Sequence, residues 1–197
     1  MNNQSSQPLP YQVADFVTFA GLGVLAPVVK FLDQYNDAVD LVDWGRQGQT
    51  ALANAARFGY RDIVDLLLKR GAAIDAKGYE GKTALIVVAA GGSGEMLEYL
   101  LQKGAVLDEK DDRGYTALMW AVRCENKDAV RLLLQKGAST VIKNNDGDTP
   151  IMIAKIYDKT KMAALLEWAE FSPALKRDIP RSRPFKLSQP KQQGMKP

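Results

Sequence analysis

The chain has no histidine among its 197 residues, and this absence excludes the commonest catalytic and metal-binding arrangements. Serine–histidine and cysteine–histidine nucleophile pairs need an imidazole base, and the paired-histidine zinc motifs need imidazole ligands. Only chemistry based on carboxylates or on lysine stays open. We therefore expect no catalytic residue, no metal site and no cofactor, and we look for function in binding surfaces.

Cysteine is almost as scarce, since Cys124 is the only one in the sequence. A single cysteine cannot form an internal disulfide bond or a CxxC metal site. This usage fits a reducing compartment and favours a cytoplasmic location, but cysteine-poor proteins also occur in the bacterial periplasm. A periplasmic or secreted protein whose signal peptide had been removed would have the same composition, so the location stays open.

Long hydrophobic runs are also missing, and none reaches the ~20 apolar residues that a transmembrane helix needs. The nearest candidate, residues 16–29, resembles the core of a signal peptide. However, no lysine or arginine precedes it, and Asp15 lies directly beside it. We interpret this stretch as part of an N-terminal capping helix pair, with an export segment as the alternative.

Charge is distributed unevenly along the chain. Residues 171–197 carry seven lysines and arginines against Asp178 alone, a net charge of +6, so the preceding residues carry −3. This segment also has five prolines, and it is expected to be an extended tail without a core of its own. The tail either binds an acidic partner or only improves solubility. No nucleic-acid-reading motif accompanies it, and the acidic body argues against a nucleic-acid partner.

What the sequence does contain is a period of 33 residues. Four threonines mark it: Thr50, Thr83, Thr116 and Thr149. Each follows a glycine by two positions and precedes an apolar residue by two. These flanking residues are Gly48, Gly81, Gly114 and Gly147, and Leu52, Leu85, Leu118 and Ile151. A fixed period of this length predicts a stack of repeats, in which each unit buries its apolar face only against its neighbours.

Each repeat contains two apolar blocks, and both have the i, i+3, i+4 spacing of short amphipathic helices. The first block starts directly after the threonine, whose hydroxyl can cap the helix. The second block ends at a glycine, where a left-handed residue closes a helix. These closing glycines are Gly71, Gly104 and Gly137.

This pattern resembles the ankyrin repeat. The match rests on Gly-x-Thr-Ala-Leu, on small pairs such as Ala55–Ala56, and on the Leu-Leu-Leu-x-x-Gly-Ala ending, and it covers roughly residues 43–170. One departure concerns the histidine that the family usually has three positions after the threonine. Apolar residues replace it in every repeat, and we expect packing to substitute for its hydrogen bond: Ala53, Ile86, Met119 and Met152.

The resemblance implies an all-α ankyrin-repeat solenoid of five stacked helix pairs joined by short β-hairpin-type loops. We expect two capping repeats, at residues 11–42 and 144–171. Three regular repeats would lie between them, at 43–77, 78–110 and 111–143. An N-terminal extension (1–10) and the basic, proline-rich tail (172–197) would flank the stack.

Two short motifs imitate ligand sites. Residues 91–94 (GGSG) look like a phosphate-binding loop, but the lysine that a P-loop needs is replaced by Glu95. Asn144, Asp146 and Asp148 look like the start of a calcium loop, but its sixth and twelfth positions lack the required glycine and glutamate. The period places both motifs in turns, and we interpret them as turns.

The aromatic residues divide by their position in the repeat. Trp120 and Tyr99 share columns with aliphatic residues and are predicted to lie in the core. Other residues fall in columns that the ankyrin family leaves variable, namely the hairpin tips and the ends of the inner helices. Binding hot spots are rich in tyrosine, tryptophan and arginine. The candidate partner-binding residues are Trp44, Arg46, Arg57, Phe58, Tyr79, Lys82, Asp112, Arg113, Tyr115, Arg123 and Tyr157. The alternative is that the hairpin aromatics only cover neighbouring turns.

The resemblance also implies a function. We expect a non-catalytic, monomeric module that binds a partner protein through its concave face and hairpin tips. Such a module inhibits or regulates its partner, and an enzyme is one candidate for that partner. The alternative is an adaptor or effector that acts in a host or signalling complex, with the basic tail as a second binding element.

Overall fold

The computed structural model describes residues 8–35, 39–42 and 49–171. These ranges contain ten α-helices in five consecutive pairs and no strand, which confirms the all-α repeat architecture. The pairs are α1 (Pro10–Gly21) with α2 (Leu25–Gln34), α3 (Ala51–Arg57) with α4 (Arg61–Lys69), α5 (Ala84–Gly91) with α6 (Gly94–Gln102), α7 (Ala117–Arg123) with α8 (Lys127–Gln135), and α9 (Pro150–Ile156) with α10 (Thr160–Phe171).

The threonines of the 33-residue period begin the first helix of four pairs. Each threonine has an extended backbone and accepts a hydrogen bond through its side chain from the backbone amide three residues later. The bond is 3.1 Å long at Thr50 and 3.4 Å at both Thr83 and Thr116. The predicted capping role is therefore confirmed, and it satisfies an amide that the helix itself leaves without a partner.

Glycines close three of the second helices, as the sequence predicts. Gly71, Gly104 and Gly137 have φ values of 91°, 95° and 90°. A side chain costs free energy in this left-handed region, so glycine is the usual residue there. Because each glycine turns the chain away from its helix at the same point, the loops of successive repeats come out on the same side of the stack.

The first helices pack on one another along the whole stack, from α1 through α3, α5 and α7 to α9. Their buried faces are rich in alanine, for example Ala55, Ala89 and Ala121, and small side chains let helices approach closely. The second helices contact their neighbours less extensively. The stack therefore curves toward the first helices, which form its inner, concave layer.

Loops of consecutive repeats are also joined by hydrogen bonds with the same 33-residue period. The Lys77 ammonium donates to the carbonyl oxygen of Lys110 at 3.0 Å, and Lys110 donates to that of Lys143 at 2.9 Å. In a parallel series, the carboxylate of Asp75 accepts from the Val106 amide at 3.1 Å. Each bond ties one repeat to the next, so the loops help to fix the alignment of the stack.

The position at which ankyrin repeats usually have a histidine is buried in only three of the four repeats. Ala53, Ile86 and Met119 are almost inaccessible, as expected for apolar packing. Met152 is 44% exposed, so the expectation was wrong for this repeat. It lies on α9, in the last helix pair that the structure describes, where no following pair packs against it. Burial in this column therefore comes from the neighbouring repeat.

The predicted core residue Tyr99 is buried on α6, and its polar end joins two second helices. Its hydroxyl donates to the carboxylate of Asp65 on α4, and the Lys103 ammonium lies 3.1 Å from the same carboxylate. The Arg61 guanidinium lies 3.9 Å from the centre of the Tyr99 ring. The Tyr99 hydroxyl, followed by Lys103, lowers the pKa of Asp65 below its ordinary value, although partial burial opposes the shift.

We expect this lowered pKa to make stability depend on pH in the acid range. The folded pKa of Asp65 lies below the unfolded one, so the interaction contributes fully above the unfolded pKa, about 4. It is lost as the pH falls through the folded pKa. Asp65→Asn should therefore lower the free energy of unfolding at pH 7 by about 0.5–1.5 kcal/mol, the value of one hydrogen bond. Urea unfolding of both proteins between pH 2 and pH 7 measures this, and a difference that did not shrink with acidification would contradict it.

Candidate functional site

The candidate binding residues lie on the hairpin tips and at the carboxyl ends of the first helices. We call this surface, from Arg57 at the end of α3 to Tyr157 after α9, the inner surface. Trp44 and Arg46 lie outside the described residues. The other nine candidates are described, and the structure brings several of them into direct contact: Arg57, Phe58, Tyr79, Lys82, Asp112, Arg113, Tyr115, Arg123 and Tyr157.

Arg57, Phe58 and Tyr79 are exposed residues of the inner surface. Phe58 follows the last residue of α3 and is 54% exposed, with the Arg57 guanidinium 5.6 Å from the centre of its ring. Tyr79 begins a 3₁₀ turn at Tyr79–Gly81 and is 50% exposed. Large exposed aromatic side chains beside an arginine are the usual anchors of protein interfaces.

Glu80 was not among the predicted site residues, but it connects two of them, Lys82 and Arg113. Its carboxylate oxygens lie 2.6 Å from the Lys82 ammonium and 2.7 Å from the Arg113 guanidinium. The hydrogen bond from Lys82 holds the pKa of Glu80 below its ordinary value. One carboxylate therefore pairs with both cations and bridges two consecutive hairpins.

Asp112 belongs to the hydrogen bonds that hold the hairpin tips together. Its backbone amide donates to the carbonyl oxygen of Glu80 at 3.0 Å, and its own carbonyl oxygen accepts from the Asn145 side chain at 2.8 Å. The Asn145 amide donates in turn to the Arg113 carbonyl at 3.0 Å. The tips thus present their side chains in fixed positions relative to one another.

Trp120 was predicted to lie in the core, but only part of its side chain does. The indole is only half-buried, and its nitrogen donates to the Asp111 carboxylate at 2.7 Å. The Lys82 ammonium lies 4.3 Å from the ring centre, and the Arg123 guanidinium 5.1 Å. The column of Trp120 is otherwise buried and holds Asn54, Val87 and Ile153, all smaller than tryptophan. An indole is too large to fit entirely into such a position, so one edge reaches the inner surface.

Arg123 is the centre of an aromatic cluster. Its guanidinium lies 5.0 Å from the ring centre of Tyr157 and 6.0 Å from that of Tyr115, besides its contact with Trp120. It occupies the last turn of α7, where the helix dipole favours a cation. Among the described residues, no carboxylate pairs with it. Tyr115 and Tyr157, from two consecutive repeats, therefore meet around the Arg123 guanidinium, which has no anionic partner in the described ranges.

Tyr115 lies deeper than a hairpin position suggests. Only 6% of it is exposed, and its ring centre lies 5.5 Å from that of Trp120. Burial is the main cause that raises the pKa of its hydroxyl above the ordinary value. Tyr115 therefore supports the exposed cluster from beneath, and its replacement would disturb the fold as well as the surface. Tyr157, by contrast, is 40% exposed.

The two motifs that imitate ligand sites are turns, as interpreted. Gly92 and Ser93 connect α5 to α6, and the Ser93 hydroxyl accepts from the Met96 amide at 3.2 Å. Asn144 accepts from the Asp146 and Asp148 amides through its side-chain oxygen, at 3.1 and 2.7 Å. Both motifs use their polar atoms to shape the backbone locally.

The fold defines a helical repeat protein. Family models described as ankyrin repeats (many copies) and ankyrin repeats (3 copies) match residues 34–88 and 74–144, so the matches together span residues 34–144. The chain belongs to the ankyrin repeat family. No curated protein matches it. Ankyrin repeats imply protein–protein interaction. Among the described residues, every helix is too short or too polar to span a lipid bilayer.

Proposed function

We propose that the protein is a non-catalytic module that binds one partner protein through its inner surface. The observation that carries this proposal is the cluster around Arg123. Two tyrosines, a tryptophan and an arginine meet there at the junction of the third and fourth threonine-marked repeats. These are the residue types that dominate binding hot spots, and the exposed pair Arg57 and Phe58 lies at the corresponding end of α3.

Rigidity of the cluster supports this role. Arg123 is held among aromatic rings, and the hairpin tips beside it are joined by backbone hydrogen bonds. A surface that is ordered before binding loses little conformational entropy on association, which favours affinity. The same arrangement offers cations, hydroxyl groups and aromatic faces, and these are suited to holding a protein surface in place.

We infer further that binding inhibits or regulates the partner. A chain without histidine acts most simply by occupying a surface that its partner needs for another purpose. Covering an active-site cleft would inhibit an enzyme, and covering an assembly surface would regulate a complex. The inner surface extends over several repeats, so it can cover an area of the size that stable interfaces bury.

A triple variant tests the proposed surface. Tyr79→Ala, Arg123→Ala and Tyr157→Ala remove three exposed or partly exposed anchors and leave the buried Tyr115 in place. A hot-spot residue contributes about 2 kcal/mol, so we expect affinity to fall at least about 30-fold. The partner is first captured from native lysate with the unmodified protein and identified by mass spectrometry, and the affinity of both forms is then measured by calorimetry.

A second triple variant serves as the control. Gln102, Lys127 and Gln135 are exposed residues of the second helices, on the opposite layer of the stack. Their replacement by alanine should leave affinity within about twofold of the unmodified protein. If the inner-surface variant bound the partner as tightly as this control, the inner surface would not be the binding site.

A further inference from the structure

Two consecutive hairpins carry related residues in the same turn position, 33 residues apart. Asp111 accepts from the amides of Arg113 and Tyr115 through one carboxylate oxygen, at 3.0 and 2.8 Å. Asn144 does the same with its side-chain oxygen toward the amides two and four residues later. Both residues are buried and shape the same turn. The turn therefore accounts for one of the two terminal atoms of each side chain, the oxygen that accepts the backbone amides.

The second terminal atom of the side chain differs between Asp111 and Asn144. The second oxygen of Asp111 accepts the hydrogen bond from the Trp120 indole at 2.7 Å. The corresponding atom of Asn144 is the amide nitrogen, a donor, and it has no acceptor among the described residues although Asn144 is only 6% exposed. The two backbone bonds to the side-chain oxygen fix which atom is which. A buried donor without a partner is costly, so this one calls for an explanation.

The unpaired amide belongs to a group of donors. Burial is the main cause of the raised pKa of Tyr115, and the neighbouring Asn144 amide opposes it by lowering that pKa. The Tyr157 hydroxyl also lies beside that of Tyr115. Arg123 lies over both rings and pairs with no carboxylate of the described residues. We call Tyr115, Arg123, Asn144 and Tyr157 the donor cluster.

We propose that the donor cluster receives a side-chain carboxylate from an acidic segment of the partner protein. This inference rests on the proposed function and specifies the chemistry of its partner. A carboxylate accepts hydrogen bonds only, with two oxygens that match the fork of a guanidinium. Arg123 and the Tyr157 hydroxyl would contact it directly. The buried Asn144 amide would not touch the ligand; its donor end adds positive potential beside the Tyr115 hydroxyl.

A single negative charge suits this cluster better than the double charge of a phosphate. Arg123 is the only cation among the four residues, whereas phosphate-binding sites generally combine several. Asp146 and Asp148 lie on the same hairpin as Asn144 and would repel a doubly charged group more strongly than a carboxylate. Among protein side chains, aspartate and glutamate are therefore the expected ligands.

Asn144→Asp is the most selective test, because the chain itself shows that aspartate forms this turn at residue 111. The variant keeps the oxygen that accepts the two backbone amides, and it replaces the donor by a negatively charged oxygen. The probe is the peptide acetyl-Glu-Glu-Glu-amide, with acetyl-Gln-Gln-Gln-amide as its uncharged match. Two-dimensional NMR follows the Arg123 side-chain N–H and the Trp120 indole N–H during titration.

We expect the glutamate peptide to shift the Arg123 and Trp120 signals saturably in the unmodified protein, and the glutamine peptide to leave them unchanged. Asn144→Asp should weaken the glutamate titration at least about tenfold, since it replaces a donor by a like charge. Arg123→Gln gives a second loss-of-binding variant should Asn144→Asp fold poorly. Lys69→Gln removes an exposed cation of the second helix α4, outside the inner surface, and should bind normally.

Unchanged binding by Asn144→Asp and Arg123→Gln would overturn the inference, as would a Lys69→Gln variant that lost binding to the same extent. The captured partner separates this inference from the proposed function. A partner that is lost by the inner-surface triple variant but bound normally by Asn144→Asp would leave the proposed function standing and refute the carboxylate site. A partner that the triple variant retained would refute the proposed function, and the peptide titration would then decide on the cluster alone.

Discussion

Replacement of Leu100 by alanine is expected to lower the free energy of unfolding by about 2–5 kcal/mol. Leu100 lies on α6 in the centre of the stack and is completely buried. Its truncation removes apolar burial and leaves a cavity, which the closely packed surroundings can fill only in part. In a repeat stack, stability is approximately the sum of the repeats and of their interfaces, so a defect in a central repeat weakens its contacts on both sides. Urea unfolding followed by circular dichroism measures the loss.

Leu101 provides a control of the same chemistry at the next position. It is only partly buried against the core, so Leu101→Ala should cost less than half as much as Leu100→Ala. Similar losses for the two variants would mean that burial within the repeat does not decide stability here. If Leu100→Ala unfolds in two steps, the repeats on either side of α6 have become uncoupled.

Most of the helical framework could be predicted because its causes are local. A threonine that caps a helix and a glycine that closes one act within a few residues, and the 33-residue period repeats these signals. Bonds between repeats were not predicted, since a side chain of one unit reaches the backbone of the next. A signal for them was nevertheless present: Lys77, Lys110 and Lys143 follow the same period.

The position of the proposed binding surface could be predicted only in outline. Column position separated the inner surface from the core but could not give the depth of an aromatic ring. Trp120 and Tyr115 therefore lie differently from what their columns suggest. Their burial depends on each other and on the neighbouring repeat, and no column shows this. Asn144 was correctly interpreted as a turn residue, but the sequence could not show that its side-chain donor is buried without a partner among the described residues.

Replacement of Gly114 by alanine is expected to have the second large effect on stability, about 2–5 kcal/mol. Gly114 has a φ of 75°, where a side chain strains the backbone. An added Cβ would also lie 2.8 Å from the Asn145 amide nitrogen and 3.1 Å from the Asn144 carbonyl carbon. These are backbone atoms of the next hairpin and cannot rotate away. The hydrogen bond from the Asn145 amide to the Arg113 carbonyl would have to lengthen or break.

Gly147 separates the two causes of this effect. It occupies the same position of the following hairpin with a φ of 87°, but no atom of the described residues lies within 4 Å of an added Cβ. Gly147→Ala should therefore lower the free energy of unfolding only through backbone strain, by about 1–2 kcal/mol. The difference between the two variants in urea unfolding measures how strongly consecutive hairpin tips are packed together. Equal losses would mean that the tips contribute no packing of their own. The fixed spacing of the inner surface would then have to come from the helices alone.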